Sequence, residues 1–469
     1  MSTNFEELRQ QVTAGEVLLP GEKGYQESLK RWSESAERPA FIQAVVVQAT
    51  TSNEVSAAVR FATSHNIPLT VRGGGHSTSG ASSSDGGMVI DLSRMRKVTV
   101  DTASRTVSYE GGCVFGEVDT ALAAHGLATV GGLYNQTGVG GLVLGGGHGF
   151  LTARHGLAID NLISVEMVLA DGSIVEVSEA KNPELFWAVR GAGAQFGVVT
   201  RFTSKAHVQG DVWGGPMLFS LDKVPELVAF ANEFHKRNVP DHNYIIAFGC
   251  APEEYTTPVA IVGVFYNGPA AEGEKFFAPV LEIGPMANLT GTMPYAVTNT
   301  LFNPRFDGPG RRLMGSCSIV MPLNDEFIAE AGRRFTDFII SHSGMAKSVL
   351  VFEFFPTGAI RATPHDATVF ANRGEHYLSV MALMYDDASH DAEVRTFKRH
   401  LSHYITTTCG YHGRRAPGDP APFYVNLEHE SLKPEEAFGS HVDKLRELKR
   451  KYDPKNIFHK WHGVVEEQK

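Results

Sequence analysis

The rhythm of apolar and polar positions changes several times along the chain. A continuous apolar run, FIQAVVVQA at 41–49, predicts a buried strand. The stretch after it, TSNEVSAAVRFATSHN, opens with a capping pattern and repeats apolar residues at Val55, Val59 and Ala62, which predicts a helix. IPLTVR and GGMVIDLS predict two short strands. KVTVDTASRTVSYEGG alternates on either side of a polar turn and predicts a hairpin. VFGEVDTALAAHG predicts an amphipathic helix stopped at Gly126. SVEMVLADGSIVEVS predicts a second hairpin, folded over Asp-Gly.

From about 205 onward the pattern differs. GGPMLFSL, YIIAFGCA, PVAIVGVFY, SCSIVMPL, KSVLVFEFF and YLSVMALMY all predict strands. Segments of helical spacing, VPELVAFANEFHKR and DEFIAEAGRRFTDFIISHS, lie between them. The expectation is an α+β chain of two domains, residues 1–205 and 206–412, the second an antiparallel sheet with helices on one face. Residues 413–469 form a C-terminal segment whose charged helix stops at Pro454.

Composition narrows the function. The chain has 469 residues, 42% hydrophobic and 20% charged, which is ordinary globular material. A net charge of −10 argues against a nucleic-acid or anionic-membrane partner, since phosphate neutralisation needs clustered Lys and Arg. Cys113, Cys250, Cys317 and Cys409 are far apart and form no CxxC, so neither a disulfide scaffold nor a cysteine zinc site is expected. The polar N-terminus has no signal-peptide pattern and no run reaches the roughly 18 apolar residues of a membrane span. The expected location is cytoplasmic.

Glycine is the unusual feature. There are 48 glycines, many of them gathered in VRGGGHSTSG, in GGLYNQTGVGGLVLGGGHG and in VRGAGAQFGVV. Clustered glycines let backbone N–H groups approach a phosphate closely, and three clusters suit a ligand of dinucleotide size. The familiar phosphate motifs fail on spacing. G-x-G-x-x-G is absent, no Gly-Lys pair exists for a P-loop, and G-x-S-x-G and His-Glu-x-x-His are missing. No metal site is expected.

VRGGGHSTSG, MVIDLSRM, GGLYNQTGVGGLVLGGGHGFLTARHGLAIDNLISVEMVLADG and NPELFWAVRGAGAQFGVVTRF together resemble the FAD-linked oxidoreductases of the berberine-bridge-enzyme type, within the vanillyl-alcohol-oxidase/PCMH superfamily. FYVNLEH and KYDPKNIF look like the family's Tyr-x-Asn and closing motifs. Among relatives the chain resembles the 6-hydroxynicotine oxidase type. The resemblance implies a PCMH-type FAD-binding domain, with a core of about 38–205, and a substrate domain. It also implies a covalent flavin bonded through His76. Many members add a second tether from a cysteine, but Tyr134 stands in that place and Leu142 replaces the accompanying histidine, so a tether through His76 only is expected. Cys113, at a helix start, reads as an ordinary buried cysteine.

The resemblance also distributes roles. Arg72, Gly73, Gly74, Gly75, Ser77 and Gly80 are expected at the phosphates, and Gly138, Gly140, Gly141 and Gly145 as a second wall. Tyr134, Asn161, Gly197, Val198, Asn426 and Asn456 are carried over as further cofactor contacts. Thr137 stands where a small side chain in relatives leaves room for oxygen, which favours an oxidase with O2 as acceptor. Tyr424 is the first catalytic candidate, with aromatic packing as its alternative. A second tyrosine used by some relatives is Leu427 here. Glu353 is the other candidate, since a carboxyl in VLVFEFF is costly if buried unpaired; a solvent-facing strand position is its alternative. His148 reads as a packing residue. The expected substrate is a small aromatic, alkaloid-like or natural-product molecule. A dehydrogenase, or a non-redox cyclase using FAD as scaffold, remains open as the alternative.

Overall fold

The computed structural model describes residues 4–37, 45–252, 255–408 and 423–465. Cys409, the start of the 41–49 run and the junction of the second domain with the C-terminal segment lie outside these residues.

The chain opens with a four-stranded sheet. Val45–Gln48 and Leu69–Arg72 flank Met88–Asp91 in parallel, and Glu16–Leu18 adds antiparallel at the edge. The helix Ser52–Ser64 crosses between the first two parallel strands. Its N-cap is Thr51, whose side chain accepts from the Glu54 N–H at 3.3 Å. A five-stranded antiparallel sheet follows, in the spatial order Val98–Asp101, Thr106–Glu110, Val198–Lys205, Leu162–Val168, Ile174–Ser178. Both predicted hairpins are in it. Gly126, at φ +65°, stops the helix Phe115–Ala123.

The six strands expected beyond 205 build a third, antiparallel sheet of eight strands, the remaining two being the short pieces Ala287–Asn288 and Gly291–Pro294. Strand alternation gives this sheet two different faces. Tyr244, Ile246, Phe248, Leu350, Phe352 and Phe354 pack under the helices Val224–Arg237, Asp325–Ile340 and Asp391–Thr408. Ile245, Ala247, Val349 and Val351 point the other way and share a core with Phe115, Val143, Phe186 and Phe202 of the N-terminal half. Glu353 shares the parity of Val349 and Val351. Strand period alone therefore aims it at the N-terminal half rather than at solvent.

The C-terminal helix Val442–Tyr452 returns to that half. Lys449 is buried and donates to the Gln195 carbonyl, the Asp453 carboxylate and the Phe458 carbonyl at 2.6, 2.7 and 2.6 Å. Among the described residues no helix is long and apolar enough to cross a membrane.

Candidate active site

Strand Leu69–Arg72 runs directly into the first glycines. Gly75 has φ +68°, a region glycine enters without strain. A Cβ on Gly74 would lie 2.5 Å from the Gly138 Cα, and one on Gly138 would lie 2.7 Å from the Gly74 Cα. The first two glycine segments thus touch backbone to backbone, which side chains would forbid. Gly73 and Gly140 both face the Gly111 carbonyl, where a Cβ would stand 2.9 and 3.3 Å away. Gly141 faces open space. Arg72 is anchored beside this cradle by a 3.0 Å ion pair with the fully buried Asp91. Ser77 shares a 2.7 Å hydrogen bond with Ser79, and Gly80 turns the chain at φ +83°.

His76 leaves this turn with its Nε2 shut off from solvent and without a hydrogen-bond partner. Its ring stacks on Trp32 at 3.9 Å and 14°. Burial, and then the charge of Arg312, push its pKa down to about 3, so the imidazole is neutral with a free lone pair. The Arg312 guanidinium lies 4.6 Å from the Trp32 ring centroid. Tyr134 comes within 5.6 Å of the imidazole, ring to ring, and its hydroxyl donates to Asp307 at 2.7 Å. Sequence reasoning missed Trp32, Arg312 and Gly111, because no local motif carries them.

The second glycine segment links this turn to a pocket. It begins at Gly138, continues through the helix Val139–Leu144, about 9 Å long at 1.5 Å per residue, and ends at Gly145–His148. Thr137, just before it, holds the turn by donating its N–H to the Tyr134 carbonyl at 3.1 Å. At the far end a Cβ on Gly145 would strike the Asn426 side chain, 2.0 Å from its Oδ1. Asn426 donates to the Leu142 carbonyl at 2.9 Å and to the Tyr424 hydroxyl at 3.0 Å. The Gly147 N–H also donates to that hydroxyl, at 3.1 Å. Tyr424 accepts twice and keeps its own proton to give, while burial pushes its pKa up to about 12.

Tyr424, Glu353, His148 and His376 line a single pocket walled by Phe355, Phe370 and Leu378. Glu353 is only 7% exposed, so the solvent-facing alternative does not hold. Burial pushes its pKa up to about 8. His148 Nδ1 stands 3.6 Å from a Glu353 oxygen, and its ring stacks on Phe355 at 5.0 Å. Burial pushes His148 down to about 4; burial and the neighbouring His148 do the same to His376. At neutral pH this is a carboxylic acid beside a neutral imidazole, not an ion pair. His148 is a pocket residue as well as a packing one, and only the fold could reveal its neighbour.

The remaining expected residues are more scattered. Asn161 spends its amide on the His155 and Leu157 carbonyls and on His207, at 2.9, 2.9 and 2.7 Å. Gly197 lies close under the Val168 carbonyl, at the start of the strand that Val198 opens. Asn456, at φ +51°, keeps its Oδ1 without a partner beside the Lys449 knot. Cys113 is fully buried and its thiol is pushed up to about 12, chiefly by burial, as fits an inert cysteine.

Two family models match this chain: "FAD binding domain" over residues 43–178 and "Berberine and berberine like" over residues 423–465. The FAD-linked oxidoreductase pgmH of Aspergillus terreus is 34% identical, over 98% of this chain and 96% of its own. The (R)-6-hydroxynicotine oxidase of Paenarthrobacter nicotinovorans is 39% identical over 187 residues, 40% of each chain. The crystal structure of 6-hydroxy-D-nicotine oxidase from Arthrobacter nicotinovorans superposes with a TM-score of 0.83 at 25% identity, over 96% of this chain and 98% of the other. Xylooligosaccharide oxidase from Myceliophthora thermophila gives the same TM-score at 20% identity over both full chains, a likeness of fold alone. The two-domain PCMH-type fold is therefore that of an FAD-dependent oxidoreductase. The chain belongs to the FAD-linked oxidoreductases of the berberine-bridge-enzyme type. The residues present fit that cofactor: glycines pack where a Cβ would fill the cradle, and a buried imidazole nitrogen lacks a partner.

Proposed function

We propose that the chain is an oxidase with FAD tethered through His76 only, oxidising a C–H next to O or N in a small aromatic or natural-product substrate and passing the electrons to O2. The observation that carries this reading is continuity. One glycine segment touches the His76 turn at Gly138 and the pocket of Tyr424 and Glu353 at Gly145–His148. The glycines of 73–80 and 138–145, with Arg72, Ser77 and Asn456, hold the cofactor in this reading. Tyr134 occupies the place of a second tether and is engaged by Asp307.

FAD, when bound, supplies the two-electron acceptor. The rest falls to side chains. The Tyr424 proton is free to donate to the substrate heteroatom and orient the adjacent C–H. Glu353, once ionised, accepts the heteroatom proton, with the neutral His148 imidazole 3.6 Å from its carboxyl. Phe355 and Phe370 exclude water. Thr137, small and close to Tyr134, leaves space for O2.

Acid precipitation of the purified protein tests the tether. Yellow colour should stay in the pellet, and should be lost from it in His76→Ala. Colour in the supernatant of the unaltered protein would overturn the covalent link. Anaerobic mixing with candidate alcohols and amines tests the redox role: a substrate bleaches the flavin, and readmitted O2 restores it with release of H2O2. Turnover without bleaching would favour a template role, and bleaching that O2 does not reverse would favour a dehydrogenase.

A further inference from the structure

We propose that His342, His390 and Glu393 form a binding site for a zinc-class divalent cation that clips together two helices of the C-terminal sheet domain. None of the three lines the pocket described above. His342 follows the helix Asp325–Ile340, His390 closes the turn Ala388–His390, and Glu393 lies in the first turn of Asp391–Thr408. Folding brings one ligand atom from each within 4.8 Å of the others.

The hydrogen bonding of His342 points to a cation. Its Nδ1 lies 2.8 Å from the Phe338 carbonyl, an acceptor only, and 2.9 Å from the Ser341 hydroxyl, which can give or take a hydrogen bond; in the tautomer that serves the carbonyl, Nδ1 carries the proton and donates. In the neutral ring Nε2 then bears a lone pair, and it faces a Glu393 oxygen at 3.1 Å. In that tautomer two such atoms hold together around a positive centre, either a second proton or a metal ion. A proton needs just these two atoms. The second imidazole distinguishes the cases: His390 Nδ1 lies 3.9 Å from the other Glu393 oxygen, with the two imidazole rings 5.3 Å apart and nearly perpendicular at 89°. In a tetrahedral zinc site, bonds of about 2.0–2.1 Å set neighbouring ligand atoms about 3.3 Å apart. The observed separations bracket that distance, so small side-chain rotations complete the site. The imidazole–carbonyl bond is also the outer contact that orients metal-ligating histidines.

The framework is held from both sides. Arg311 grips both Asp391 oxygens at 2.7 and 2.6 Å, fixing the turn that carries His390. Phe338 and Phe397 stack at 3.7 Å and 3°, joining the two helices next to His342. Two imidazoles and one carboxylate, with open positions for water, select zinc or a neighbouring borderline metal over calcium or magnesium.

The test uses the flavin-loaded full chain, freed of metal by chelator and titrated with zinc chloride by calorimetry at pH 7.5. The expected result is micromolar binding and a rise in melting temperature of a few degrees. His342→Asn and, separately, Glu393→Gln should each remove one equivalent of zinc and the rise, while calcium produces neither. Equal stoichiometry and affinity in both variants would overturn the proposal, as would an absence of binding to the unaltered protein. These outcomes leave the flavin reading untouched.

Discussion

Glu353 is a neutral acid by burial, and that has consequences on both activity and stability. Its folded pKa, near 8, lies above the ordinary carboxylate value, so between the two the native state binds the extra proton. Stability should therefore fall as pH rises from about 4.5 to 8, while a rate that needs the carboxylate should rise toward 8. Glu353→Gln separates the two. It should lower kcat/KM by about 10²–10⁴-fold and flatten the pH profile. In urea unfolding it should equal or exceed the unaltered protein at pH 8.5. A variant that keeps the alkaline rise in rate would remove Glu353 from the chemistry. His76 and Tyr424 could be named as candidates from sequence because each sits in its own local motif. The partner of Glu353 was not, because His148 and Glu353 meet only when the two halves of the chain close on each other. Trp32 was silent for the same reason: nothing within its own stretch marks it as the platform for the His76 ring.

Elements depend on two close contacts. Gly74→Ala would drive a Cβ into the Gly138 backbone, an overlap worth about 1–3 kcal/mol. Its expected effect is about tenfold less flavin per purified chain, since 1.4 kcal/mol is a factor of ten. The ratio of absorbance near 450 nm to that at 280 nm reads this directly. The helix Val442–Tyr452 depends on Lys449, whose donors are all spent on buried acceptors. Lys449→Met strands the Asp453 carboxylate in the interior and should cost about 3–5 kcal/mol in chemical denaturation. Periodicity predicted this helix and its stop at Pro454, as it predicted the strands, because amphipathic spacing is a local property. What the helix docks against was not local: Lys449 reaches the Gln195 carbonyl, 254 positions away in the chain, at 2.6 Å.

At the scale of the whole molecule, the buried histidines set an acid limit. Burial, as the leading cause, pushes His76 to about 3 and His148, His155, His242, His376 and His462 to about 4. Each is neutral when folded and protonates near 6.5 when unfolded. Between about 4 and 6.5 the unfolded chain binds more protons, so stability must fall as pH drops through that window. Urea midpoints should be clearly lower at pH 5 than at pH 7; equal midpoints would mean these rings are wetter than the fold implies. The α+β plan and the antiparallel sheet beyond 205 were readable from strand rhythm. The shared core between the two halves of the chain was not, because a strand's alternation shows that it has two faces without naming what covers each.

The stack of Trp32 on His76 makes the protein its own optical gauge. An indole in face contact with an imidazole emits brightly or weakly according to the charge of that ring. Alkylation of one ring nitrogen, with loss of the ring proton, alters the surface this one emitter stacks on and should change its emission. Of the four tryptophans, Trp32 is the one stacked on the His76 ring. In the purified protein, maturation can thus be followed in real time by ultraviolet emission, without any substrate.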